Sequence, residues 1–261
     1  MPTIWITGDT HGDVTRLNSV NFPEQSEMTK DDVVIICGDF GLLWDYKGES
    51  KEEKFWLDWL DEKPFTTLFI DGNHECFPRL NALPLEERYG APVGVVRKSV
   101  LHLKRGYVYD IHGIKVFAFG GAASHDTLEG IVNADGNDEN WKETAKNWIR
   151  QGKRYFRINQ VSWWKDEVEQ DPAVYQRGLD NLTKYDNKVD LIVTHCCCNE
   201  TGKLIGVEER DRLTDYLQKI QDTVQYDFWF FGHHHQNRTI TGRQICIYRQ
   251  VLQVYDIREE E

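Results

Sequence analysis

The sequence predicts a layered α/β fold built around a partly parallel sheet. Three observations carry this expectation. Continuous apolar, β-branched runs recur along the chain, each ends in Gly, Asp, Asn or His, and an amphipathic helical segment lies between two of the early ones.

The runs are TIWITGD (3–9), DVVIICGD (32–39), TTLFIDGNH (66–74), VDLIVTH (189–195) and YDFWFFGHHH (226–235). A run that is apolar throughout, rather than at every second residue, belongs to a strand buried on both faces. ESKEEKFWLDWLDEK (49–63) reads as a helix whose apolar stripe is Phe55, Trp56, Trp59 and Leu60. From about 93 to 119, VGVV, SVLHL, GYVYDI and GIKVFAF are short strands split by Gly and charged turns, which predicts a meander. RTITGRQICIYRQVLQVYDI (238–257) has the same character, with TGRQ as the tight turn. The stretch from about 125 to 187 is polar and charged, with two or three helical patterns, and reads as an insert. Trp163 and Trp164 are expected to pack it onto the body. Without repeats or a Pro/Gly/Ser linker, residues 1–261 read as one domain.

Composition narrows the function. With 31 basic and 43 acidic residues the net charge is −12, which repels phosphate backbones at long range and disfavours long nucleic acid as a partner. No run approaches the ~20 apolar residues of a membrane span. The chain enters a strand at once, without a leader pattern. Its six cysteines have no CxxC pairing. Reduced thiols and a cytoplasmic location are the expectation. Cys196, Cys197 and Cys198 read as small residues closing a buried strand.

In open α/β sheets, ligands gather beyond the carboxyl ends of the strands. Here those ends carry Asp9-Thr10-His11, Asp39, Asn73-His74, His195 and His233-His234-His235. One His or Gly-Asp after a strand is ordinary turn chemistry. Five such ends carrying carboxylate, amide and imidazole groups point to one shared site, of a kind that suits two adjacent divalent ions. In an extended chain His233 and His235 face the same way and His234 the other.

GDTHG (8–12), GD (38–39), GNHE (72–75), TH (194–195) and GHHH (232–235) resemble, in order and strand-end context, the five blocks of the calcineurin-like metallophosphoesterases. The resemblance implies a four-layer α/β/β/α sandwich of two mixed sheets flanked by helices. It implies that Asp9, His11 and His235 hold one metal, that Asn73, His195 and His233 hold the other, and that Asp39 bridges them. His74 would face the substrate. Gly38, Gly72 and Gly232 read as turn residues where a Cβ would crowd the ligand loops. The metals would be two divalent ions, Mn, Fe or Zn.

The expected reaction is hydrolysis of a phosphate ester, in-line, by a metal-bridging hydroxide, with His74 assisting the leaving group. A small-molecule ester is the expected substrate. A phosphodiesterase acting on nucleotides or nucleic acid is the alternative, and a non-catalytic metal-binding module is the reading from a different class. Many relatives have GDxxD-R-G in the second block. Here Leu42 stands at the later carboxylate position, leaving Asp45 as the neighbouring substitute. His125 and Asp126, after GGAAS, are candidate substrate-pocket residues, and Arg154 and Arg157 read as ion-pair partners for neighbouring helices.

Overall fold

The computed structural model describes residues 2–133, 140–208 and 210–254. Residues 255–257 of the last predicted strand pattern and 134–139 of the predicted insert lie outside that range. Strands β1 (Ile4–Thr7), β2 (Val33–Ile36) and β3 (Thr66–Phe69) follow the first three apolar runs and pair in parallel. With β4 (Leu85–Arg88), β5 (Ala91–Arg97), β6 (Val100–Leu103) and the last strand they make a seven-stranded sheet. A six-stranded sheet contains β7 (Tyr107–Ile111) and β8 (Ile114–Phe119), then β11 (Leu191–Thr194), β12 (Phe228–Phe231), β13 (Arg238–Thr241) and β14 (Gln244–Cys246). Between them in sequence, β9 (Ile131–Val132) and β10 (Arg157–Ile158) pair only with each other. The last strand, β15 (Val251–Gln253), returns to the first sheet, antiparallel to β1.

Side-chain alternation converts these runs into layers. On β2, Val33 and Ile35 join Tyr109, Val116, Val193 and Phe230 in the core between the sheets. Val34 and Ile36 of the same strand instead meet Leu57 and Leu60 of α1 (Lys51–Asp61) on the outer face. Behind the second sheet, Ile192 and Trp229 pack on Leu182 of α4 (Pro172–Thr183) and on Leu213, Leu217 and Ile220 of α6 (Arg212–Thr223). Shorter helices α2 (Phe77–Asn81), α3 (Trp141–Arg150) and α5 (Asn199–Leu204) complete the α-helices among the described residues, which also contain short 3-10 turns. The result is the expected helix, sheet, sheet, helix sandwich.

Two expectations change in detail. The predicted 93–119 meander divides into two pieces. β5 and β6 are antiparallel in the first sheet, whereas β7 and β8 form a hairpin in the second. Both pieces have the same short-strand pattern, and nothing in that pattern marks the crossing at 104–106. On α1, Phe55 is 60% exposed, and Leu57 and Leu60 are the buried apolar residues. Trp56 and Trp59 lie at the margin of the core. Burying each leucine contributes about 1.5–3 kcal/mol, so this pair docks the helix. Its first turn is fixed by a capping box in which Ser50 and Glu53 exchange hydrogen bonds.

Candidate metal centre and its catalytic neighbours

The site forms where the carboxyl ends of β1, β2, β3, β11 and β12 meet. Asp9 and Asp39 are almost fully buried there. His235 Nε2 lies 3.1 Å from Asp9 Oδ2 and 2.9 Å from His11 Nε2. His11 Nδ1 is 3.7 Å from Asp39 Oδ2, and His195 Nε2 is 3.3 Å from Asp39 Oδ1. Asn73 Oδ1 lies 3.1 Å from His195 Nε2. Asp39 therefore sits between the Asp9–His11–His235 group and the Asn73–His195 group. The His233 amide donates to both Asp9 oxygens at 3.1 Å, while its ring lies 5.0 Å, centroid to centroid, from that of His195. All seven residues picked out for metal in the sequence come together.

The loops that hold them are strained and tightly fitted. His11, Asp39, His233 and His235 all have positive φ, between 45° and 64°, which costs a non-glycine residue of order 1–3 kcal/mol. A Cβ on Gly72 would stand 2.0 Å from Asp39 Oδ1, and one on Gly232 2.1 Å from Asp9 Oδ1. The Gly38 position is equally closed, by His195 Nδ1 at 2.2 Å. These glycines let backbone press against the Asp9, Asp39 and His195 side chains.

β12 ends at Phe231, so strand alternation does not orient the three histidines. The left-handed turns at His233 and His235 do. His234 Nε2 is turned to Cys197 Sγ, 3.5 Å away. His125 stacks on His233 at 4.4 Å, and the imidazole nitrogens of His125, His233 and His234 lie within 4.8 Å of one another. The six cysteines are buried and free, with Cys196–Cys198 packed in the outer core of the second sheet.

Charge in the cup is strongly coupled. Burial opposes ionisation of Asp39, yet His195, His74 and His11 together hold its carboxyl well below the usual range. Burial also disfavours charge on His195, but Asp39 and Asp9 outweigh it and raise the imidazole to about 10. His11 is lowered, mainly by burial. His235 is raised, first by its hydrogen bond to Asp9. Two buried carboxylates ringed by imidazoles, with two Nε2 atoms 2.9 Å apart, form an oxygen and nitrogen donor set that fits borderline divalent ions.

His74 follows Asn73, and its amide donates to Asp39 Oδ1 at 2.8 Å. Its Nε2 stays 3.9 Å from Asp39 Oδ2. Leu42 is buried in the outer core, and the Asp45 carboxylate accepts from the Lys47 amide. The group beside His74 is Arg157, whose Nη2 approaches both ring nitrogens at 3.1 and 3.2 Å. Arg157 also pairs with Asp126 at 2.5 and 2.7 Å. Thus Arg157 pairs with a carboxylate of the short 3-10 turn His125–Thr127, at the site itself. Burial first, and then the Arg157 charge, lower the His74 imidazole to about 4 against the pull of Asp39. The Arg154 amide donates to Glu129.

Other supporting groups had no sequence signal. Asn73 Nδ2 donates to Ser124 Oγ at 3.1 Å, and Ser124 donates to the buried Glu167 through its amide and hydroxyl at 2.9 and 2.5 Å. Trp163 Nε1 donates to the same Glu167 at 2.9 Å. This chain fixes which end of the Asn73 amide faces His195. Arg16 donates to the Asp9 carbonyl at 2.7 Å, and Tyr248 stacks on His235 at 4.4 Å. Arg105 grips Asp71, two residues before Asn73, at 2.5 and 2.8 Å and also reaches Glu169, Asp166 and Glu167.

The family described as calcineurin-like phosphoesterase matches residues 2–237. The chain is similar to the lariat debranching enzyme of Drosophila melanogaster, 26% identical over 249 residues, covering 89% of this chain and 42% of that protein. The lariat debranching enzyme of Drosophila pseudoobscura pseudoobscura is 26% identical over 248 residues, with the same coverages. Lariat debranching enzyme A of Xenopus laevis is 29% identical over 141 residues, covering 49% of the chain and 25% of that protein. The chain thus spans less than half the length of these curated relatives. No helix among the described residues is long and apolar enough to cross a membrane. The family match over nearly the whole chain, which spans every strand end that lines the cup, establishes that the chain belongs to the calcineurin-like phosphoesterase family.

Proposed function

We propose that the protein hydrolyses a phosphate ester at a two-metal centre. The observation that carries this reading is the position of Asp39, between an Asp9–His11–His235 group and an Asn73–His195 group, with His74 alongside. Asp9, His11 and His235 would hold one divalent ion and Asn73, His195 and His233 the other, with Asp39 shared. Mn²⁺, Fe or Zn²⁺ suits these mixed donors. Bound ions supply charge neutralisation for the phosphoryl group and activate water as the nucleophile.

The protein's own groups do the rest. His74 stands at the edge of the cup, where it can hydrogen-bond the departing ester oxygen. With its pKa near 4 it is neutral at pH 7, so it donates from a neutral N–H. Arg157 holds the ring against rotation and places a fixed positive charge where the anionic substrate arrives. His125 and Asp126 border the same opening.

The test is turnover of an aryl phosphate monoester and an aryl phosphate diester by protein stripped of metal and reloaded with Mn²⁺, Fe²⁺ or Zn²⁺. Metal-dependent hydrolysis of either is the expected result. Hydrolysis of neither, with metal bound, would favour a metal-binding module. A phosphodiesterase acting on nucleotides or nucleic acid is the second reading, favoured by relatives named for debranching lariats. The net charge of −12 favours short substrates over long ones.

A further inference from the structure

A groove of about 770 Å³ opens directly beside the metal cup, starting at His11 and running along the loop after β2 to α1. Three aromatic side chains, Trp44, Tyr46 and Trp56, line it, and Val161 and Ser162 from the stretch after β10 border it. Trp44 connects the groove with the chemistry: its ring lies 5.7 Å from that of His74 and edge-on to Trp164 at 6.0 Å. Among the described residues no Lys or Arg lines the groove, whereas Asp13, Asp45 and Glu52 do.

The aromatic wall is set in advance of any ligand. Glu53, buried at the base of the groove, accepts from the amides of Trp44, Asp45 and Ser50 at 2.7–2.9 Å. Arg79 closes the same carboxylate at 2.9 and 3.0 Å. One buried ion pair therefore fixes the backbone of the 44–50 loop, which limits the ordering cost of binding.

We propose that this groove is the leaving-group subsite, and that it takes a planar heteroaromatic ring bearing an exocyclic amine, as in the adenine or cytosine of a nucleoside ester. Three considerations select that occupant. The aromatic wall offers stacking surface that sugars and alkyl alcohols use poorly. Its carboxylates accept from ring amines and repel further phosphates, so one nucleoside next to the scissile phosphate fits and a polyanionic strand along the groove does not. The groove also begins at His11 and Trp44, so its occupant remains within reach of the cup. The inference rests on the phosphoesterase reading, and its test separates the two.

The probe is adenosine, which carries the ring without a phosphate, titrated against the metal-loaded protein by calorimetry. The variants are Trp56→Leu and, on the more exposed loop position, Tyr46→Ser; neither touches the metal cup. Each variant is expected to weaken adenosine binding about tenfold, the loss of one stacking contact. With Mn²⁺, each should lower kcat/KM for an adenosine phosphate ester about tenfold through KM, and leave the methyl ester of the same phosphate unchanged. Adenosine binding that depends on Trp56, without hydrolysis of either ester, would remove the phosphoesterase reading and keep the groove as a ring site. Hydrolysis of both esters, unchanged in both variants, would remove the groove assignment and keep the enzyme. Absence of adenosine binding by the wild type would also overturn the subsite.

Discussion

The cup and the wall facing it are built in different ways. Asp9, Asp39, Asn73 and His195 leave the ends of buried strands, within one or two turns of a parallel ladder that cannot shift without breaking the core. Arg157, Ser124 and Glu167 instead come from the stretch between β8 and α4, where β9 and β10 pair only with each other. What holds this second side is polar. Glu167 collects three hydrogen bonds, and Arg105 ties Asp71 under the cup to Asp166, Glu167 and Glu169. The framework fixes the carboxylates and imidazoles of the cup, and the polar wall sets the orientation of the His74 ring and the Asn73 amide.

His74 stands on the boundary between them, its backbone tied to Asp39 and its ring to Arg157. The largest expected effect follows from that position. His74→Ala should lower kcat about 10²–10³-fold, the usual cost of losing a hydrogen-bond donor aimed at developing charge, while metal content by elemental analysis stays unchanged. Loss of metal together with activity would place His74 in the cup and erase the boundary.

The same contrast explains what could be read in advance. The residues that gather in the cup were legible because each follows an apolar run, and a strand end is visible one residue at a time. His233 and His235 were picked out for an inadequate reason: they lie beyond β12 in left-handed turns, and φ is not written in residue type except for glycine. Phe55 looked buried because a 3.6-residue stripe has two flanks, and only packing against β2 selects Leu57 over it. Arg157 had no pattern around it to read. Its role depends on Asp126 and His74, 31 and 83 residues away, which only the closed fold brings together.

Asp71 tests the link between the two sides. Its carboxylate is buried with His102 at 3.0 Å and Arg105 at 2.5 Å. Burial opposes its ionisation, but the Arg105 charge and the His102 hydrogen bond hold its carboxyl well below the usual range. Asp71→Asn leaves Arg105 buried without its counter-charge and should cost about 3–5 kcal/mol at pH 7, read from urea midpoints. A carboxyl depressed by folding stabilises above its unfolded pKa of about 3.9, and that stabilisation fades as pH falls towards the folded value. The gap between wild type and variant should therefore be constant from pH 6 to 8 and narrow below about pH 4. A gap that narrows at neutral pH instead would mean that another group governs it.

The smallest effect is the most selective, because it touches the wall alone. Glu167 makes no contact with His195 or Asp39; it acts through Ser124 on the Asn73 amide. Glu167→Gln keeps the shape but replaces one acceptor oxygen with an amide donor, so the Ser124 hydroxyl, which donates to Glu167, has to turn and accept instead. That loosens the Asn73–Ser124 hydrogen bond, which orients the Asn73 amide. Affinity for the ion proposed to be held by Asn73, His195 and His233 should fall about 10–100-fold, the usual range for a supporting partner. The ion proposed for Asp9, His11 and His235 should be unaffected. Competition with a graded chelator resolves the two as separate steps. Equal weakening of both steps would show that the insert supports the whole cup, and the division drawn between framework and wall would fail at its narrowest point.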